Sequence, residues 1–380
     1  MHIGDLHIGK VVNEYSMLDD QKYILEQILS IMEEEKVDTL LVAGDVYDRS
    51  VPSAEAVELF DWFLTEVSKK GRTVCMVAGN HDSGERLAFG RELLKKQNVY
   101  VAGNIGQRKE PAILNDCYGS LLVWFLPFFR PAELKTMGEE LQLRDYDEAV
   151  RACIAQMNIK EEERNILITH HFVVNQGMEE RSDSELFLSI GGIEQVSYTA
   201  FDSFDYVALG HLHKAQKVGR ETVRYSGSPL KYSFSEEFHK KSVVLFEMRE
   251  KGDLEWKLVP LVPLKDMRRI GGKLEDLLKE EIASLENRED YLGITLTDEE
   301  EIFDAISKVR LVYPNVMQLS YSRKKGALEQ EEQTLKMVQE KTPLELTNDF
   351  LCKVLGEEPK EEYQQVLSEW VEELTEKGGA

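Results

Sequence analysis

The sequence predicts an α/β protein whose strands carry chemistry at their ends, and three features lead to that reading. Apolar runs at Thr39 to Ala43, Thr73 to Ala78, Asn165 to Thr169 and Tyr206 to Leu209 have the length and composition of buried strands. Stretches with helical apolar periods lie between them. Each run ends on a short polar motif: Gly44-Asp45-Val46-Tyr47-Asp48, Gly79-Asn80-His81-Asp82, Thr169-His170-His171 and Gly210-His211-Leu212-His213. Gly4-Asp5-Leu6-His7 adds a fifth, and together these motifs hold six of the eight histidines.

The elements follow in order. Met1 stands only four positions before Asp5, so either the start is mis-assigned or the first strand is short, and a strand that short is expected to be poorly bonded, leaving Asp5 and His7 the least firmly held motif. Tyr15 to Glu35 predicts a helix with Ile24, Ile28 and Ile31 on one side, continued by Leu25, Leu29 and Met32. Ser53 is placed to cap a helix carrying Val57, Phe60, Phe63, Leu64 and Val67. Both apolar faces suit core or dimer surface better than a cofactor box. Gly119-Ser120 separates two strand-like stretches, the second being Leu121 to Phe128, and Glu148 to Met157 reads as a short helix. After Gly210 strands dominate: Gln216 to Val218, Thr222 to Ser226, Ser242 to Met248 and Leu254 to Leu261.

Pro260 to Lys265 reads as a connector. A short strand, a helix over Lys273 to Leu285, the strand Tyr291 to Thr297, a helix over Asp298 to Tyr313 and the strand Val316 to Tyr321 then predict a small α/β domain. Arg323-Lys324-Lys325-Gly326 opens a polar, Glu/Gln-rich linker. Thr342-Pro343 reads as cap and first helical residue. Two short amphipathic helices follow, one with Phe350 and Leu351, the other with Val366 and Trp370. The expected organisation is a main domain over 1–260, a small domain over 266–322, a linker over 323–341 and a helical segment over 342–377.

Side chains at the ends of several parallel strands can converge at one rim of an α/β sheet. Imidazole, carboxylate and amide oxygen suit hard to borderline divalent ions such as manganese. In Asp5-x-His7 and His211-x-His213 the strand period of two is expected to put both side chains on one side. A lone Gly-Asp after a strand is usually only a turn, and a buried histidine is often only a hydrogen-bonded core residue. Five such motifs in fixed order, each behind a strand-like run, point instead to a two-metal site.

Composition narrows the class. The chain has 380 residues, enough for a main domain and an appendage. No run reaches the length of a membrane span and no secretory leader precedes the first motif. Cys75, Cys117, Cys153 and Cys352 lack zinc-site spacing and fit reduced thiols, Cys75 as a small core residue. No G-x-x-x-x-G-K-[ST] occurs, so any ATP requirement would belong to another chain. The net charge of -24 is not that of a typical nucleic-acid binder, which carries a basic patch. Much of the acid lies between Glu329 and Glu376, away from the motifs. Lys10, Arg86, Lys214, Lys217, Arg220, Arg224 and Lys231 stand near them as candidate phosphate contacts.

The ordered motifs resemble those of the calcineurin-like metallophosphoesterases. Gly44 to Arg49 running into Val51-Pro52-Ser53, Gly79 to Ser83 followed by Glu85-Arg86-Leu87, Ile190-Gly191-Gly192, and Tyr225 to Ser233 after Gly210 to His213 resemble the SbcD nucleases within them. The resemblance covers the first 250 residues or so and extends loosely to about residue 322. It implies a four-layer αββα sandwich with a small α/β capping domain and a helical tail. It also implies two ions, best taken as Mn²⁺, one held by Asp5, His7 and His213, the other by Asn80, His170 and His211, with Asp45 bridging. His170 is preferred to His171 because Phe172 and Val173 complete the family's His-x-Phe-Val pattern. His81 would steady the phosphate or protonate the leaving oxygen, while Asp48 and Asp82 would orient imidazoles. The implied enzyme is a cytoplasmic DNA exonuclease and endonuclease, a homodimer in a heterotetramer with an SbcC-like coiled-coil ATPase bound by the tail. The superfamily motifs alone leave a phosphatase or small-molecule phosphodiesterase open, but neither has an evident use for the cap and tail. A non-catalytic scaffold would be expected to have lost ligands, and every expected position is filled.

Overall fold

The computed structural model describes residues 1–106, 110–135, 145–175, 179–183 and 194–322. Two six-stranded sheets form its body. The first runs in the order Leu254–Pro260, Ser242–Met248, His2–Ile3, Thr39–Ala43, Thr73–Val77, Val99–Ala102. The second runs Gln216–Val218, Arg220–Tyr225, Tyr206–Leu209, Arg164–Thr169, Gly119–Leu126, Ala112–Asp116. Most inner strands pair in parallel, Ser242–Met248 joins His2–Ile3 antiparallel, and antiparallel hairpins close three of the four edges, the fourth being the parallel strand Val99–Ala102.

Strand alternation sorts the apolar side chains into three cores. Leu41, Ala43, Cys75, Val77, Ile166, Ile168, Tyr206 and Ala208 fill the space between the sheets. Leu40, Val42, Val74 and Met76 point the other way, packing with helices Leu18–Glu34 and Ala54–Ser68. Leu167, Val207 and Leu209 pack on the opposite outer face with helix Tyr146–Ala155. Strands covered on both faces read as continuous apolar runs, which is why they stand out in the sequence. The four-layer αββα architecture follows. Ser53 caps its helix as expected, its side chain accepting from the Ala56 amide.

Several elements differ from expectation. The first strand is short, but it is not poorly bonded. His2 pairs with Leu41 on one side and Val244 on the other. The N-terminal ammonium donates to the Thr39 carbonyl at 2.8 Å, and the amides of Asp5 and His7 continue the ladder to Gly44 and Asp45. The first helix begins at Leu18, because Tyr15–Ser16 pairs with Val11–Val12. The hairpin turns at Cys117-Tyr118, and Gly119-Ser120 already belong to the second strand. Lys273 to Leu285 gives two single turns, Leu274–Leu277 and Glu280–Ala283, because extended Lys279 interrupts them. The helix expected over Asp298 to Tyr313 is only Ala305–Arg310, since left-handed Asp304 precedes it.

Met267–Gly272, Tyr291–Leu296 and Val316–Tyr321 form a three-stranded sheet. Residues Met1–Leu296 and Ile302–Ser320 make one compact unit, so most of this sheet packs with the body. Tyr291 donates to Asp20 Oδ2 at 2.7 Å, and Arg269 to the Phe234 carbonyl at 2.8 Å. Lys231, a candidate phosphate contact by sequence, is instead turned inward. Its ammonium pairs with Asp266 and donates to the carbonyls of Glu237 (2.7 Å) and Met267 (3.2 Å). Ile190-Gly191-Gly192, Cys352, the linker 323–341 and the helical segment 342–377 lie outside the described residues.

Lys231→Met leaves those two carbonyls without this donor, at about 1–3 kcal/mol for each group left unsatisfied. Its urea midpoint is expected to fall. An unchanged midpoint would mean that Lys231 does not fasten the small sheet.

Candidate metal centre

The predicted ligands come from both sheets and meet at the carboxyl ends of their strands. Asp5, His7 and Asp45 have φ of 53°, 44° and 49°, and His211 has φ of 109°. The sequence expectation for Asp-x-His and His-x-His is therefore corrected. These side chains converge through left-handed turns just past the strands, not through strand alternation. Left-handed non-glycine residues cost about 1–3 kcal/mol each and collect at functional sites. Two glycines let the sheets touch there. A Cβ on Gly44, at φ +84°, would lie 2.4 Å from His170 Nδ1, and one on Gly210 would lie 1.8 Å from the Ala43 carbonyl oxygen.

Two donor sets share Asp45. His7 Nε2 lies 3.2 Å from His213 Nε2 and 3.6 Å from Asp45 Oδ2. Asp5, His7 and His213 together offer ligand atoms within 4.8 Å of one another. On the other side, His170 Nε2 lies 3.3 Å from Asp45 Oδ2 and 3.0 Å from Asn80 Oδ1. His211 Nδ1 is 3.2 Å from the same Asn80 oxygen. His170 Nδ1–H donates to the Ala43 carbonyl at 2.7 Å, so Nε2 is the nitrogen that could hold a metal once its proton is lost.

The electrostatics suit cations. Burial pushes the Asp5 carboxyl up to about 7, against the pull of His170 and His213. Burial also opposes a charge on Asp45, but His170 and then His7 hold it well below the usual range. For His170 burial disfavours the cation, yet Asp45 overcomes this and lifts it to about 9. Burial, then His170, pushes His211 down to about 3. Asp5 Oδ2 is buried without a hydrogen-bond partner, and two imidazole nitrogens face each other. Oxygen and imidazole donors so arranged fit divalent ions of the manganese type.

His81 belongs to the same cluster without entering either set. Its amide donates to Asp45 Oδ1 at 2.9 Å, its Nδ1–H to the Asp48 carbonyl at 2.9 Å, and its ring packs edge-on to His7. His171 packs among Phe128, Phe129 and Tyr146, with Nδ1 2.9 Å from Thr169 Oγ1. Burial, then His170, pushes it down to about 3, leaving a neutral core residue.

Asp82 touches no imidazole as its expected role requires. Its carboxylate accepts the amides of Gly79 (2.9 Å), Val46 (3.2 Å) and Tyr47 (2.9 Å), bolting two ligand loops together. Asp48 orients His81 through its backbone carbonyl, while its carboxylate accepts from Lys10 at 2.7 Å. Lys10 is thus committed to the protein. So is Arg220, which donates to the carbonyls of Phe201 and Phe204, and Arg224, which stacks 3.4 Å from the Trp256 ring centre. Arg86 donates to the Ser50 carbonyl at 2.6 Å, Lys214 pairs with Glu180, and Lys217 with Glu221.

Sequence reasoning missed Glu236 and Lys241. Glu236 Oε1 accepts from His213 Nδ1 at 3.0 Å, and its other oxygen from Lys241 Nζ at 2.6 Å. Burial alone would raise the Glu236 carboxyl, but Lys241 and His213 hold it well below the carboxylate range. The sequence offered only an acid, Glu236, three residues past the Tyr225 to Ser233 motif, and its burial shows in the structure alone.

This fold and rim define a class. Residues 1–215 match the family described as Calcineurin-like phosphoesterase, to which the chain belongs. Residues 263–355 match SbcD_C, described as Type 5 capsule protein repressor C-terminal domain. The SbcD subunit of the SbcCD nuclease of Staphylococcus epidermidis is 35% identical over 323 residues, covering 84% of each chain. Its counterpart in Staphylococcus saprophyticus is 31% identical over 323 residues, again 84% of each. A Mycobacterium tuberculosis phosphopantetheinyl hydrolase structure is 17% identical, covering 59% of this chain and 86% of its own, with a TM-score of 0.36. Within the phosphoesterases the chain is a member of the SbcD nuclease family.

Asp82→Ala strips the acceptor from three backbone amides, each worth about 1–3 kcal/mol when buried and unpaired. Its denaturation midpoint is expected to fall even in chelator. If only metal affinity fell, Asp82 would be acting on an imidazole after all.

Proposed function

We propose that this chain hydrolyses DNA phosphodiester bonds with two Mn²⁺ ions, at double-strand ends and hairpins, together with an SbcC-like coiled-coil ATPase. The observation that carries the reading is the pair of donor sets meeting at Asp45 Oδ2, 3.6 Å from His7 Nε2 and 3.3 Å from His170 Nε2. Asp5, His7 and His213 would hold one ion, and Asn80, His170 and His211 the other. When bound, such ions clamp a phosphate and lower the pKa of an attacking water.

The chain supplies the rest. Asp45 keeps the two sets at one spacing, because Oδ1 is tied to the His81 amide while Oδ2 lies between the imidazoles. His81, its Nδ1–H engaged by the Asp48 carbonyl, has Nε2 left to steady the phosphate or protonate the leaving 3′ oxygen. Arg86, Lys214 and Lys217 are the remaining candidates for phosphate. Exposed ion pairs such as Lys217 with Glu221 are worth little, so a phosphate can displace the acid.

Segment 342–377, expected from the sequence to be helical, would hold the ATPase, to which any ATP requirement would belong, in a heterotetramer with two copies of this chain. Among the described residues no helix is long and apolar enough to cross a membrane. A manganese-supplemented assay on linear and hairpin DNA, with and without the ATPase, tests the whole reading. Cleavage of nitrophenyl phosphate esters with none of DNA would replace it with a small-molecule phosphodiesterase.

His81→Ala is expected to keep both ions and lose about 10²–10⁴-fold in cleavage. Asp45→Ala should lose metal as well, since it removes the shared oxygen. Manganese depletion of His81→Ala, measured by metal analysis, would move His81 into the ligand set.

Truncation at about residue 330 is expected to leave a folded, metal-binding nuclease with basal cleavage at low salt but no assembly with the ATPase. A few large side chains at about 1.5–3 kcal/mol each suffice for such an anchor. If the truncated chain still co-purifies with the ATPase, or unfolds, the segment is packing on its own body.

A further inference from the structure

Behind His213 the chain buries a complete ion pair. Glu236 is 0% exposed, Lys241 8% and His213 3%. The Lys241 ammonium donates to Glu236 Oε2 at 2.6 Å, Ser228 Oγ at 2.8 Å and the His213 carbonyl at 2.9 Å. The same lysine thus grips both the backbone of His213 and the carboxylate that receives its Nδ1–H at 3.0 Å.

The other imidazoles of the site have weaker backing. His170 gives its Nδ1–H to a neutral carbonyl, that of Ala43. His7 Nδ1 has no hydrogen-bond partner, and its nearest carboxylate oxygen, on Asp48, is 3.7 Å away. His211 presents Nδ1 itself to Asn80. A carboxylate behind an imidazole fixes its tautomer and makes the opposite nitrogen a better donor, and losing such a partner typically costs about 10–100-fold in metal affinity. Lys241 keeps that carboxylate tolerable in the interior, where a lone charge is costly.

We propose that Glu236 and Lys241 are positioning residues that fix His213 as the strongest imidazole donor, so that the two sites differ in affinity and the Asp5–His7–His213 site fills first. The ligand sets point the same way. The first contains Asp5 as well as the shared Asp45, whereas the second replaces that carboxylate with the neutral Asn80 amide. The inference rests on the two-ion reading above.

The test is calorimetric titration of the full-length, metal-stripped chain with Mn²⁺. The parent should bind two ions in unequal steps. Glu236→Gln keeps an acceptor for Nδ1–H without the charge, and should weaken the tighter step about 10–100-fold while leaving the weaker step in place. The double variant Glu236→Gln/Lys241→Met removes both buried charges together, guards against misfolding, and should show the same selective loss. Titration of either variant with both steps as in the parent would overturn the proposal, as would equal weakening of both steps. A parent chain that binds fewer than two ions would instead overturn the two-ion reading itself.

Discussion

The structure depends on the contact between the two sheets at the carboxyl ends of their strands. Asp5, His7, Asp45 and Asn80 arrive from the first sheet, and His170, His211 and His213 from the second. Each of the two donor sets draws on both sheets, so the sandwich must hold its layers in register. It does so by removing side-chain volume where the layers touch, at Gly44 and Gly210, and by packing Leu41, Val77, Ile168 and Ala208 directly behind them. Each buried Leu, Val or Ile there contributes about 1.5–3 kcal/mol, enough to offset about 1–3 kcal/mol for each left-handed residue at the rim. Strain at Asp5, His7, Asp45 and His211 is thus supported by the core beneath it.

What is legible in the sequence divides along the same line. Strands covered on both faces are continuous apolar runs, and motif residues behind them are easily counted, so the layers and the ligand cluster can be read. Backbone sign cannot. Strand alternation would bring Asp5 and His7 together, but they converge at positive φ, a choice made by contacts to Gly44 and Asp45 from a distant strand. Roles that depend on long-range partners are equally hidden. Asp82 accepts amides from two separate loops, and Lys231 turns inward to a sheet that begins more than thirty residues later. Glu236 becomes meaningful only when His213 is seen against it.

These buried commitments sharpen the problem posed by a net charge of -24. Lys10, Lys231, Arg220 and Arg224 hold protein oxygens or an aromatic face, which leaves few basic side chains near the rim for phosphate. Affinity for DNA comes mainly from neutralising phosphates. On the function proposed here, that neutralisation falls to bound divalent ions at the scissile position and to the ATPase partner over the rest of the duplex. On that proposal an acidic chain would gain by being a poor binder alone, because it would then cleave chiefly where a partner delivers DNA.

The loops Asp45–Asp48 and Gly79–Asp82 belong to different strands yet act mechanically as one piece. Asp82 clamps the Gly79, Val46 and Tyr47 amides, Asp45 Oδ1 takes the His81 amide, and the Asp48 carbonyl takes His81 Nδ1–H. The carboxylate shared by the donor sets and the imidazole proposed to meet the phosphate are therefore set by the same hydrogen bonds. Residues coupled in one network do not contribute additively. Substitutions at Asp82 and His81 should each disturb the other's contacts, so their combined effect on cleavage should be smaller than the sum of the separate effects. The chemistry at this rim is thus tied to backbone geometry that only the meeting of the two strands creates.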